Sequence, residues 1–187
     1  MITKLKPLTI ADWDAMPYGD GNRYEIIEGE LFVSTSPGLT HQMVSTNLIL
    51  LIGSFIKTNP IGTVVTTPGL ILSNFSGVIP DLVFFSHEQR DKIVKDDRLH
   101  GPPVLVVEIL SPGSANIRRD RVAKLQLYAK HGVPEYWIID PRIMTLERYV
   151  NQGSSLILLE TLRYEDTLST TALPGFSCQM SEIFSQF

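Results

Sequence analysis

Three side chains carry most of the chemistry this sequence offers. Asp81 follows Pro80 at the head of an apolar run, Asp81-Leu82-Val83-Phe84-Phe85. Glu108 interrupts a second run, Val104-Leu105-Val106-Val107-Glu108-Ile109-Leu110, and Lys124 lies in the helical stretch that follows. The second run is too hydrophobic for a strand with one wet face and reads as a strand buried on both sides of a sheet. A glutamate there must be paired, protonated or bound to a metal, because an isolated buried carboxylate is very costly. Two carboxylates on neighbouring strands, with a backbone carbonyl, make an oxygen-rich site for a hard divalent cation such as Mg²⁺. Such an ion polarises a phosphoryl oxygen and lowers the pKa of a bound water. Each acid also has a plainer reading. Asp81 can be a turn residue after Pro80, and Glu108 can be half of a buried salt bridge with an arginine.

The lysine is the third ingredient. Helix positions advance by about 100° each. With Asp120 as zero, Arg119, Gln126 and Lys130 fall within roughly 240–280°, a polar stripe that reads as solvent-facing. Leu125, Ala129 and Val122 fall within roughly 140–200°, an apolar stripe. Lys124 falls near about 40°, between Asp120 and Tyr128 and away from the solvent stripe. It therefore points along the protein. The plainer alternative is an Asp120–Lys124 pair, worth about 0.3–0.5 kcal/mol when exposed.

The elements that must position these groups can be read in order. Thr9 caps a short helix with Asp12 in its first turn. Arg23–Ile27 and Glu30–Ser34 read as a hairpin around Glu28-Gly29. Thr40–Lys57 has helical length, with Met43, Leu48, Leu51, Ile52 and Phe55 on one broad face. Gly62–Thr67, Gly69–Leu72 and Val78–Phe85 read as strands, with Asn74–Gly77 as a turn. Ser86 and Gln89 form a capping box for a short helix, and residues 91–102 read as a mobile loop. Ser114 or Asn116 caps a helix that runs to His131, with Gly132 as its left-handed stop. Glu135–Asp140 is a strand, Met144–Val150 and Leu156–Leu162 a hairpin, and a short helix starts at Ser181. The layout predicts a mixed α/β fold, helices flanking one central sheet.

Bulk properties set limits. A chain of 187 residues suits one domain, residues 1–187, with a sizeable core. Its net charge of −4 does not advertise a nucleic-acid binder, which usually shows a basic excess or patch. The single cysteine, Cys178, forms no internal disulfide and points to a reducing, cytoplasmic setting. The N-terminus lacks the apolar run of a signal peptide, and no segment approaches the ~20 apolar residues of a membrane span.

Several longer blocks occur in order: RYEIIEGEL, THQMVSTNL, VIPDLVF, VVEILSPGS, DRVAKLQLYAKHGVPEYWIIDP and LPGFS. Together with Pro80-Asp81, Glu108 and Lys124 they resemble the Uma family of restriction-endonuclease-like proteins, a branch of the PD-(D/E)XK nuclease superfamily. The short superfamily motif is weak by itself; the ordered blocks are specific. The resemblance implies a restriction-endonuclease-like fold, with a central mixed sheet flanked by helices. It implies that Asp81 and Glu108, with the Ile109 backbone carbonyl, hold Mg²⁺, for which Mn²⁺ can substitute. The usual lysine position, two residues after the glutamate, holds Leu110 here. Lys124 on the next helix is the matching residue in families whose lysine has migrated. The implied activity is metal-dependent hydrolysis of phosphodiester bonds in DNA, by a homodimer as restriction-type nucleases commonly are. Leu156–Leu159 suit either an interface or the core.

Other residues have competing readings. His41 opens the long helix, where a helix N-terminus favours phosphate, or it is a surface histidine. Glu25 is a further acid of the site, a salt-bridge partner or a solvated residue. Tyr128 reads as helix packing. His87, His100 and His131 lack zinc spacing, and no phosphate loop of the P-loop type occurs. Arg118-Arg119-Asp120-Arg121 is the only dense basic stretch. A binding module that keeps the fold without catalysis is the alternative to a nuclease, and the acidic charge suits it because phosphate contact supplies most non-specific affinity.

Overall fold

The computed structural model describes residues 6–17, 19–113, 116 and 118–185. The chain opens with α1 (Ile10–Asp14), the hairpin β1 (Asn22–Ile27) and β2 (Glu30–Thr35), and the long helix α2 (Leu39–Thr58). Then come β3 (Gly62–Thr66), β4 (Leu70–Ser73), β5 (Ser76–Val78), β6 (Leu82–Ser86), α3 (His87–Ile93), β7 (Val94–Lys95), β8 (Arg98–His100) and β9 (Leu105–Ile109). A π-helical turn, Arg119–Lys124, runs into α4 (Leu125–Lys130). The chain ends with β10 (Glu135–Asp140), β11 (Thr145–Asn151), β12 (Leu156–Arg163), β13 (Thr167–Ser169), β14 (Ser177–Gln179) and α5 (Met180–Ile183).

The strands form two six-stranded mixed sheets where the sequence suggested one, ordered β2-β1-β5-β4-β8-β7 and β12-β11-β10-β9-β6-β3, beside the small β13-β14 pair. The fold is mixed α+β. In the second sheet β9 and β10 are parallel, joined through the π-helical turn and α4, and β9 pairs antiparallel with β6. Parallel neighbours need such a crossover helix. The apolar run of β9 is buried along its whole length. Its side chains alternate between faces. Leu105, Val107 and Ile109 pack with Val44, Leu48 and Ile52 of α2. Val106 and Leu110 pack toward the first sheet and α4, with Leu127 and Tyr128. By the same alternation Glu108 faces α4.

The run Val78–Phe85, expected as one strand, is two. β5 belongs to the first sheet and β6 to the second, and Ile79-Pro80-Asp81 carries the chain across. Pro80 lacks the N–H a ladder needs, so the strand breaks there. The chain makes the opposite crossing between β3 and β4, at Thr67-Pro68-Gly69, and Thr67 N–H donates to the Asp81 carbonyl (3.2 Å).

Residues 91–102 hold the end of α3 and the β7–β8 hairpin, not a loop. Asp96 and Asp97 both adopt positive φ, the conformation of a tight two-residue hairpin turn. Ser76 and Gly77 are strand rather than turn, and β13 and β14 escaped the pattern because each is only three residues long. On α2 the buried stripe is His41, Val44, Asn47, Leu48 and Ile52, rotated slightly from the expected one. Asn47 is buried because its amide caps the C-terminal segment, donating to the carbonyls of Ile183 and Ser185 (3.0 Å each). By length and composition α2 is long and apolar enough to cross a membrane, contrary to expectation, yet one side of it packs on the sheet. Ser114 as a helix cap lies outside the described residues. Gly132 does adopt positive φ after α4.

Gly62 shows how tightly the central sheet closes. A Cβ there would stand 2.3 Å from the Phe85 carbonyl oxygen and 2.6 Å from the Phe84 ring. Gly62→Ala is expected to cost roughly 1–3 kcal/mol in urea unfolding, the scale of an overpacked core. An unchanged midpoint would mean β3 can shift without loss.

Candidate active site

Five elements meet at one polar cluster. Glu25 comes from β1, His41 from the first turn of α2, Asp81 from the crossing before β6, Glu108 from β9, and Lys124 from the end of the π-helical turn. All five are buried; Lys124 is 0 % and Glu108 1 % exposed. Lys124 Nζ lies 2.8 Å from Glu108 Oε1 and 2.8 Å from Glu25 Oε1. Tyr128 OH donates to the same Glu108 oxygen (2.8 Å). Glu25 Oε1 also accepts from the Ile79 N–H (2.7 Å), which ties β1 to the crossing strand. Asp81 Oδ2 accepts from the Ile109 N–H (2.8 Å) and lies 3.0 Å from His41 Nε2, while Oδ1 lies 3.2 Å from Arg23. Asp120 and Glu25 flank Arg119, at 2.8 Å and 3.6 Å.

The electrostatics follow from crowding acids in a dry place. Burial alone would lower the Lys124 pKa, but Glu108, Glu25 and Asp120 carry it above its ordinary value. Lys124 is thus a permanent cation here. Burial pushes Glu108 up to about 8; Lys124 opposes that push, while Asp120, Asp81 and Glu25 add to it. Burial also works against ionisation of Asp81, yet His41, the Ile109 N–H and Arg23 bring it down to about 2. Arg119 is held above its ordinary value by Asp120, Glu25 and Glu108 against the pull of burial.

A polar cavity of about 130 Å³ opens onto this cluster, lined among others by Arg23, Gly38, His41, Asp81, Ile109 and Arg119. The N-terminus of α2 faces it through Gly38 and His41, and no side chain caps that helix end. His41 Nδ1 is buried and has no hydrogen-bond partner among the described residues.

Lys124 sits where helix periodicity placed it, between Asp120 and Tyr128. Arg119 does not. It was assigned to the solvent stripe and is buried at the cavity wall. In an α-helix residues five apart lie about 140° apart around the axis. The π-helical turn bonds i to i+5 and stacks them, so Arg119 turns to the side of Lys124 while Val122 is left exposed. No periodicity signal marks that extra residue. Tyr128 does more than pack, and its spacing four after Lys124 was the available clue. Arg23, in the first quoted block, carried no signal of its own.

The family described as "Putative restriction endonuclease", Uma2, matches residues 10–181. This chain is a member of the Uma2 family. Among solved structures it is similar to a nuclease of the DUF820 group from Anabaena variabilis, titled "putative", with a TM-score of 0.74 and 19 % identity over 95 % of this chain and 98 % of that one. That likeness shows the shared fold. A looser alignment, TM-score 0.43 and 11 % identity over 77 % of this chain and 15 % of the other, is to the type IIG restriction endonuclease BpuSI. At that score it bears on neither fold nor function. No curated protein matches the chain.

Restriction-endonuclease-like proteins imply a divalent metal, and the Uma2 chain's donor set can be tested for one. Among the described residues no group of three or more His, Cys, Asp and Glu is arranged to hold a metal by itself. Two carboxylates and a carbonyl remain, all hard oxygens. Mg²⁺ is commonly held by one or two carboxylates, keeping several waters and taking substrate oxygens. The pressure of neighbouring acids on Glu108 is also what an added cation would relieve. The residues fit Mg²⁺ in kind and number.

Lys124→Met leaves Glu108 and Glu25 buried without their cation. Unfolding free energy is expected to fall by roughly 3–5 kcal/mol at neutral pH. The folded state holds the Glu108 proton up to about 8, against 4.5 unfolded, so the Glu108 contribution is present at low pH and lost as pH rises through that window. Lys124 opposes that rise, so without it Glu108 keeps its proton to still higher pH, and the deficit should be flat below pH 8 and widen above it in urea titrations. A deficit that does not widen above pH 8 would show that Glu108 is not the charge left behind.

Proposed function

We propose that this chain is a Mg²⁺-dependent endonuclease that hydrolyses phosphodiester bonds in DNA. The observation that carries the reading is Lys124, fully buried yet bonded to Glu108 beside the cavity that Asp81 and Ile109 line. Asp81, Glu108 and the Ile109 carbonyl would hold the ion, Mg²⁺ or Mn²⁺. When bound, the ion supplies a Lewis acid to the phosphoryl oxygen and acidifies water.

The chain's own residues do the rest. Lys124 fixes Glu108 and Glu25 in place and supplies positive charge; those acids hold its pKa above the ordinary value, which favours that role over a base's. Arg23, Arg119 and the N-terminus of α2 make the cavity wall attractive to a phosphate. His41 Nε2 lies 3.0 Å from Asp81 Oδ2, which leaves its buried Nδ1, without a partner among the described residues, for a water or substrate group in the cavity.

Cutting both strands calls for two sites, and the reading includes a homodimer. One edge of the second sheet is β12, where Ile157, Leu158 and Leu159 are exposed. Such an apolar edge is a template for pairing. The reading places the protein in a reducing compartment, where Cys178 stays a buried thiol.

The test is cleavage of supercoiled and single-stranded DNA with Mg²⁺ or Mn²⁺. EDTA should abolish it, and Glu108→Ala and Lys124→Ala should each slow it by roughly 100-fold or more, the scale of losing one charge-stabilising group. Activity surviving Glu108→Ala would place the chemistry elsewhere. No cleavage by folded protein across substrates and metals would favour the binding module.

Light scattering after gel filtration tests the dimer separately. Leu158→Lys should convert a dimeric parent to a monomer with little change in thermal stability, and a monomeric parent would remove the dimer from the reading.

A further inference from the structure

Beside the cavity at Asp81 runs a larger groove of about 750 Å³. The two adjoin along a shared wall of Arg23, Thr35, Ser36 and Pro37. The difference in size is informative. A volume of about 130 Å³ holds a phosphate or a few waters but no base. The groove has room for a whole nucleotide, and its lining suits one. Trp13, Tyr24 and Arg98 border it, offering two aromatic rings and a guanidinium plane. The Arg98 guanidinium carbon already lies 5.3 Å from the centre of the Trp13 ring. Gln42, Asn22 and Thr67 add hydrogen-bonding groups along the same walls.

Charge does not explain what this groove would bind. Arg98 is matched by Asp14 at 2.6 Å and Arg23 by Asp81 at 3.2 Å. Asp20 accepts from the Tyr24 hydroxyl and from Asn22. The groove is close to neutral, in a chain of net charge −4. Affinity for a polyanion must then come from stacking, which needs a base whose face is free. A base inside a duplex offers no free face.

We propose that this groove seats an unpaired nucleotide next to the phosphate held at Asp81, so that the substrate is single-stranded at the point of attack. The inference rests on the nuclease reading for its orientation, but the binding it claims is separable from catalysis. Backbone lies across the shared wall at Arg23 and Ser36. The base lies against the Arg98 guanidinium, whose other side covers the Trp13 ring, and beside Tyr24.

The molecule carries its own reporter. Of its two tryptophans, Trp137 is fully buried in the core, and Trp13 is the one at the groove. Binding is measured by tryptophan fluorescence in EDTA, where no metal-dependent cleavage occurs, with a short oligothymidylate, a duplex of equal length and inorganic phosphate as probes.

The oligothymidylate should quench saturably, with a shallow dependence on salt. The duplex should bind at least tenfold more weakly, and inorganic phosphate should leave the signal unchanged. Arg98→Ala should weaken the single strand by roughly tenfold, the scale of one base-stacking contact. Arg98→Lys keeps the charge and loses the plane, and should weaken it similarly. Equal binding of duplex and single strand, absence of quenching, or full rescue by Arg98→Lys would each overturn the assignment. A protein that binds this way yet cuts nothing would leave the groove standing and remove the nuclease. One that cuts duplex without quenching would do the reverse.

Discussion

The arrangement of the site depends on one ammonium group in a place without water. Lys124 Nζ stands within 2.8 Å of carboxylates from two different sheets, Glu25 of β1 and Glu108 of β9. Charges buried in that way are tolerated only when geometry and hydrogen bonds offset the cost of leaving water. Here the offsets are specific. Glu108 also accepts from Tyr128, Glu25 also accepts from the Ile79 N–H, and Asp120 is held by Arg119. The lysine therefore serves as the bolt between two sheets whose apolar faces would otherwise tolerate other alignments.

Asp81 belongs to the same logic. The chain crosses from one sheet to the other at Ile79-Pro80-Asp81, and the crossing is pinned at both ends by the site itself. Ile79 N–H is tied to Glu25, and Asp81 is tied to the N–H of Ile109 next to Glu108. Proline there removes a donor that would have had no ladder partner. Asp81 is thus held by a backbone N–H and Glu108 by Lys124 and Tyr128, and the cavity beside Asp81 is walled by the first turn of α2.

Much of this could be read from the residues in advance. The apolar run around Glu108 announced a strand buried on both faces, and helix periodicity put Lys124 beside Tyr128 and away from solvent. The ordered blocks carried the family. What stayed hidden has physical reasons. Splitting Val78–Phe85 between two sheets depends on long-range pairing that no local pattern encodes. The π-helical turn adds a residue to one helical turn without any compositional mark, and it alone decides that Arg119 faces inward. The β7–β8 hairpin turns on two aspartates at positive φ, which in isolation look like loop residues. Glu25 and Arg23 sit on an ordinary hairpin, and only the docking of that hairpin gives them partners.

The repeated passage of the chain between the two sheets has a temporal consequence. The polar cluster draws on residues from β1 through the π-helical turn, so it exists only after both sheets have formed and docked. A chain still being synthesised, or one opened locally at the seam, has scattered acids and an unpaired lysine in place of a site. On the nuclease reading proposed above, competence and completed folding are the same event, and loosening the seam takes the site apart.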